Sequence, residues 1–252
     1  MRLKSHISIV LLVLLFPVTL QAQKSLEQIV YATSDHEWNF SGFLDRWGKE
    51  YAPRDTKKES DTAGVVYGLY RQLFTPFDLK DKVSFNSDGA INDGYRNVVV
   101  PGSFMYYISE NGKWDDRNGA TKFVIKSFRP KLDFGDTVRV LYLTLKYDTL
   151  LKRFLGSKST KFGSPGIMRP SRATGTSAER EALVKKFLPI LHGHWGGYWH
   201  LMTMPTMTFV FNPKFDRVEV HFRVGYGGRI VSYEKGADRK WVSVGEHVEW
   251  VE

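Results

Sequence analysis

From Met207 to Val251 the chain is a succession of short β-branched and aromatic segments separated by turn residues, and this run constrains the fold more than any other feature. Met207–Phe211, Arg217–Val224, Arg229–Glu234, Trp241–Val244 and Val248–Val251 alternate apolar with polar residues, as strands with one buried face do. Asn212-Pro213, Gly225-Tyr-Gly-Gly228, Gly236-Ala-Asp238 and Gly245 supply the turns. Connections this short join antiparallel neighbours, so the spacing predicts a C-terminal β-meander. The Gly225–Gly228 stretch has the glycines of a nucleotide loop, but no helical pattern follows it. It reads as a hairpin turn.

Helical patterns dominate upstream. Ser25-Leu-Glu-Gln28 and Ser34-Asp-His-Glu37 both have capping-box spacing, and Phe40, Phe43, Leu44, Trp47 and Tyr51 then form one apolar stripe. Ala63 to Phe74 is a second amphipathic helix, with Val65, Val66, Leu69, Tyr70 and Leu73 inward and Thr75-Pro76 as its stop. Arg96–Val100, Phe104–Ile108, Lys122–Phe128 and Val138–Leu145 read as strands, broken by Pro101-Gly102, Asn111-Gly112 and Asn118-Gly119. A helix runs from Asp148 to a stop at Gly156. Thr176-Ser-Ala-Glu179 caps another, with Leu183, Val184, Phe187, Leu188 and Leu191 inside and Pro189 kinking or ending it.

The expected fold class is α+β, with helices packed on a curved, mostly antiparallel sheet that ends in the meander. A helix packed into a curved sheet that closes with a Tyr233-Glu-Lys…Trp241 hairpin resembles the cone-shaped NTF2-like and cystatin-like architectures. The resemblance implies a cone-like shape and carries no activity. Residues 23–60 are expected as an N-terminal helical extension and 61–252 as a single domain. Its connection at 156–176, rich in glycine, serine and proline, is flanked by Lys152 and Arg153 and carries Lys158, Lys161, Arg169 and Arg172, reading either as a basic lid or as a solvated loop.

The first residues follow a different pattern. Arg2 and Lys4 precede an uncharged apolar run from Ile7 to Leu20, and Leu20-Gln-Ala22 offers a small residue before polar Gln23-Lys24. That is the layout of a signal peptide over residues 1–22, with cleavage near Ala22 and a secreted or periplasmic product. The run is shorter than the ~20 residues of a membrane-spanning helix, and nothing later is apolar enough to serve as one. Removing 22 of the 252 residues leaves 230, enough for one large domain or two small ones. No cysteine is present, which excludes disulfides, thiolate zinc sites, thiol catalysis and a cysteine-borne lipid anchor.

The formal charge of +9 falls to +7 without Arg2 and Lys4, and the cations are scattered in nothing longer than pairs. Such a bias draws anionic ligands or surfaces loosely and is no nucleic-acid footprint. Oligomeric state is not set by the sequence. Ser84 to Tyr95 mimics a calcium loop but has Ser84 and Tyr95 where the first and twelfth acids belong, so its Asp-Gly pairs read as turns. No Gly-x-Ser-x-Gly elbow is present, and Asp115-Asp116 read as solvated turn residues.

Chemistry concentrates in His192-Gly-His-Trp-Gly-Gly-Tyr-Trp-His200, which holds three of the seven histidines and two of the seven tryptophans. Three readings stand. On an extended segment His192 and His194 point to one side, and His200 would complete a three-nitrogen zinc site with an open position for water. His221 and His247 would add nitrogens and Glu219 or Glu246 a base, although the helical His-Glu-x-x-His spacing is absent. Alternatively the stretch is a packed turn, with His192 and Gly193 closing the helix and Gly196-Gly197 folding the aromatics onto the sheet. Thirdly, Trp195, Tyr198, Trp199 and Tyr226 would stack a flat or sugar-like ligand while Arg223 and Arg229 hold its acidic group. The favoured function is non-catalytic binding of an acidic or saccharide-like ligand, with no cofactor. The alternative is a metal-dependent hydrolase on His192, His194 and His200.

Overall fold

The computed structural model describes residues 25–54, 61–74, 96–134, 138–156, 176–192, 198–200, 206–224 and 227–251. The signal-like segment, the calcium-loop mimic, residues 157–175 of the basic connection, and His194, Trp195 and Tyr226 lie outside them.

Three helices come first: α1 (Leu26–Val30), α2 (His36–Glu50) and α3 (Asp61–Leu73). Strands β1 (Asn97–Pro101) and β2 (Phe104–Ile108) follow, then a 3-10 helix over Trp114–Gly119, β3 (Thr121–Ile125) and β4 (Arg139–Leu143). After α4 (Leu145–Leu155) and α5 (Ser177–Lys185) come the short β5 (Leu191–His192) and β6 (Tyr198–His200). The chain ends in β7 (Thr206–Phe211), β8 (Arg217–Val224), β9 (Gly227–Lys235) and β10 (Trp241–Val251). The class is α+β, with a six-stranded sheet in the order β10-β9-β8-β7-β2-β3. Every neighbouring pair is antiparallel except β2 with β7. The meander is β7 to β10.

Local signals set the helix ends. Ser25 and Thr176 each form a reciprocal capping box, with Gln28 and Glu179. The cap of α2 is Asp35, not Ser34: its carboxylate accepts from the Trp38 N–H at 2.9 Å. A carboxylate there also suits the positive end of the helix dipole. Gly156 closes α4 with a φ of +78°, a region costly for any residue with a Cβ. Helix α5 stops at Lys185, ahead of Pro189, so Leu191 and His192 are strand and not the last turn of a helix.

One expected turn between strands, and one expected solvated turn, differ in the structure. Gly245 makes no turn; the chain continues as the single strand β10, with register breaks between Ser243 and Gly245 and between Val248 and Trp250. Such bulges bend an edge strand and spoil it as a template for further pairing. Asp115 and Asp116 belong to the 3-10 helix.

The core is divided by a two-stranded parallel ribbon. β1 pairs with β4 from Asn97↔Arg139 to Pro101↔Leu143, apart from the main sheet. Alternate residues along a strand face opposite ways. Val98, Val100 and Tyr142 therefore join one core, beneath α3 and the first face of the sheet. Val99 and Leu141 join the other, among α1, α2, α4 and α5. Burial on both faces explains the unbroken Val-Val-Val and Val-Leu-Tyr-Leu runs. In the first core Gln72 of α3 donates to the Trp241 carbonyl at 2.5 Å and accepts its N–H at 3.1 Å, pinning the helix to β10. Helices α1 and α2 bury Leu26, Val30, Phe40, Phe43, Leu44 and Trp47 in the second core with Leu151, Phe154 and Val184. No helix among the described residues is long and apolar enough to cross a membrane.

Candidate functional site

The residues singled out in the sequence do not share one place. His192 pairs with Tyr198, and Leu191 with His200, in the antiparallel β5–β6 pair. The described backbone of the histidine stretch, His192 and Tyr198–His200, thus belongs to a short strand pair that follows α5 in sequence, and its side chains lie outside the described residues. Arg223 and Arg229 stand on opposite faces of the sheet. Arg229 is opposite Phe222, a first-core residue, with its guanidinium 5.1 Å from that ring and 3.2 Å from the Glu246 carboxylate. Arg223 is opposite Gly228 and shares a face with His221, two residues away. The two arginines therefore do not converge on one acidic group.

The second face of the sheet has its own cluster. Register aligns Thr208, His221, Ile230 and His247 across β7 to β10, with Glu219 and Ser232 in the adjoining row. The 3-10 helix covers part of this face. Trp114 packs on Val210 and Ile230, with its ring 4.1 Å from that of His221. Arg117 stacks over the indole at 4.3 Å. The Glu219 carboxylate accepts the Trp114 backbone N–H at 2.6 Å and the Ser232 hydroxyl at 3.2 Å. His221 is 8% exposed, and a Cβ on Gly228 would lie 2.7 Å from its Nε2, so glycine there makes room for the imidazole. His221 and Glu219 are built into packing. Among the described residues no group of three or more histidine or acidic side chains is placed to hold a metal ion.

A concave surface lies elsewhere, between α1 and α2. An open cleft of about 430 Å³ is lined by Gln28, Ile29 and Ala32 on one side and by Trp38, Asn39, Gly42 and Arg46 of α2 on the other. That is within the ~300–1,000 Å³ of small-ligand sites. Asn39 fixes the geometry, donating to the Val30 carbonyl at 2.9 Å and to the Thr33 hydroxyl at 3.0 Å. Trp38, Gly42 and Arg46 recur every four residues and so line one face of α2, away from the Phe40–Trp47 stripe. Trp38 is 76% exposed, unusual for the largest apolar side chain.

Gln28, Trp38 and Arg46 bring donors to this cleft, while Asn39, with both amide hydrogens engaged, keeps an acceptor oxygen. Gln28 Oε1 is occupied by the Ser25 N–H at 2.8 Å, which leaves its amide NH₂ to donate. Arg46 makes no ion pair or hydrogen bond among the described residues, whereas its neighbour Asp45 is ion-paired with Arg139. The Trp38 indole N–H is likewise uncommitted among them. An aromatic face beside an exposed cation and two N–H donors suits a ligand with an apolar face and an acceptor-rich, anionic edge. Sequence reading assigned α2 only its core stripe and passed over this face. The signal was an aromatic placed off the apolar stripe, four residues before a mid-helix glycine.

No protein-family model matches the chain, and neither the curated proteins nor the solved structures searched give a match.

Proposed function

We propose that this protein is a non-catalytic binding protein for an acidic or saccharide-like ligand, held in the cleft between α1 and α2. The observation that carries the reading is the juxtaposition, across Gly42, of the exposed Trp38 with Arg46, which has no ion pair among the described residues. Burying Trp38 against a sugar or flat ring removes apolar surface from water at ~25 cal/mol per Å². Arg46 offers a planar fork that matches a carboxylate. The formal charge of +9, which falls to +7 without Arg2 and Lys4, favours anionic ligands over long range. The basic, apolar and small-residue succession over residues 1–22 supports export, and N-terminal sequencing of the isolated protein tests it.

The binding reading is tested by calorimetric titration with acidic and neutral oligosaccharides and with aromatic carboxylates. At least one class is expected to bind, with Trp38→Ala weakening it roughly tenfold or more, the weight of one stacked aromatic contact. Binding that survives Trp38→Ala unchanged, or no binding at all, would overturn the proposal.

A further inference from the structure

We infer that the cleft is specific for a sugar bearing a carboxylate, a uronic acid, and that Gly42 is kept bare so that this sugar can lie on the helix backbone. The inference rests on the binding reading above and names its ligand class.

The argument begins with a glycine that packing does not explain. Glycine inside a helix costs stability relative to alanine, because the unfolded chain loses more freedom and backbone is left exposed. Elsewhere on α2 a steric reason is plain: a Cβ on Gly48 would come within 2.7 Å of Arg139 Cδ. At Gly42 a Cβ would meet only Arg46 Nη1, at 3.8 Å, an ordinary contact. Alanine would fit. What alanine or anything larger would take away is floor space in the cleft, between the indole and the guanidinium.

The spacing selects the ligand. Helical side chains lean toward the N-terminus, so Arg46 reaches back over Gly42, and its Nη1 stands 3.8 Å from where a Cβ on Gly42 would be, on the helix face that Trp38 shares. A pyranose ring stacked on the indole through its C–H face and lying over Gly42 would turn a ring-borne carboxylate toward the guanidinium. The hydroxyls on its edge accept from the Gln28 NH₂ and the Trp38 indole N–H. A neutral sugar would leave the cation without a partner. A small carboxylate without a ring would leave the indole in water.

The test is calorimetric titration of the full chain with galacturonic acid trisaccharide, its methyl ester and the neutral galactose trisaccharide. The acid is expected to bind at least ~10-fold more tightly than the ester, and Arg46→Gln to abolish that preference. Gly42→Ala is expected to raise Tm by about 2–4 °C and weaken acid binding, and Gly42→Leu to remove it. Gly68→Ala on α3, where a Cβ also meets open space, is expected to raise Tm with binding unchanged. Equal affinity for acid and ester, or a Gly42→Leu protein that binds as the parent does, overturns this inference while leaving the binding reading in place. Absence of binding to any saccharide or aromatic carboxylate overturns both.

Discussion

The hydroxyl of Tyr147, on α4, donates to the carboxylate of Glu50 at the C-terminal end of α2, while the same ring stacks on Trp47 at 4.4 Å and 11°. Lys146 donates to the same carboxylate at 2.7 Å, so one acidic residue joins the two helices across the second core. Burial alone would raise the Glu50 pKa, but the hydrogen bonds from Lys146, Tyr147 and Tyr51 outweigh it and hold it below 4.5. Burial, together with its bond to Glu50, pushes the Tyr147 phenol far above 10.0.

The two shifts act at opposite ends of the pH scale. A depressed carboxylate pKa means that the unfolded chain binds more protons in acid, so the Glu50 contribution is complete above pH 4.5 and is lost as pH falls through its lower folded value. A raised phenol pKa means that the folded chain binds more protons in base, so the Tyr147 contribution is complete below pH 10.0 and declines as pH rises beyond it. Denaturant unfolding across pH 3–11 should therefore show a shallower acid limb in Glu50→Gln and a shallower alkaline limb in Tyr147→Phe. At pH 7, Tyr147→Phe should cost about 1–2 kcal/mol, the net worth of a hydrogen bond to a charged acceptor. Parallel limbs in parent and variants would remove the role given to this pair.

Gly102, between β1 and β2, sits where a Cβ would lie 2.8 Å from the Leu143 carbonyl oxygen and 2.9 Å from Thr144 Cα. Its own N–H donates to that carbonyl at 3.0 Å, and its carbonyl accepts from Phe128 at 3.0 Å. Backbone cannot retreat as a flexible side chain can. Gly102→Ala is expected to destabilise by about 1–3 kcal/mol, against gains for alanine at Gly42 and Gly68. Urea midpoints of the three variants give the comparison directly.

Trp114 closes the second face of the sheet over Val210, Ile230 and His221 and is 7% exposed. Trp114→Ala should cost about 3 kcal/mol, toward the lower end for a large aromatic because water can enter from the open side. The shift of the urea midpoint between parent and variant measures that loss. Ligand affinity at the α1–α2 cleft is expected to be unaffected, since the two surfaces share no residue.

The hydrolase alternative makes a separate prediction about metal. Three imidazoles on one zinc would give stoichiometric metal after purification and a Tm that rises with added zinc. The binding reading expects neither. Stoichiometric zinc lost on His192→Ala and His200→Ala would reverse the choice between them.

What the sequence determined by itself was local or periodic. The Ser25 and Thr176 boxes were readable because a cap and its partner are three residues apart, and the Phe40–Trp47 stripe because helical period is independent of what it packs against. The meander was readable because short turns leave its strands few other neighbours. Tertiary structure alone decided the rest. Val98 and Val99 look alike in sequence, yet pairing of β1 with β4, some forty residues away, sends them into different cores. Gly245 has the composition of a turn, but continuous pairing with β9 carries the strand through it. His221 and Glu219 had the chemistry of ligands until the 3-10 helix engaged them in packing. The cleft was the least legible feature. Trp38, Gly42 and Arg46 mark one face of α2, but only the docking of α1 gives that face an opposite wall. A concave site depends on contacts between elements, and those are set by the packing of whole faces, which no local pattern records.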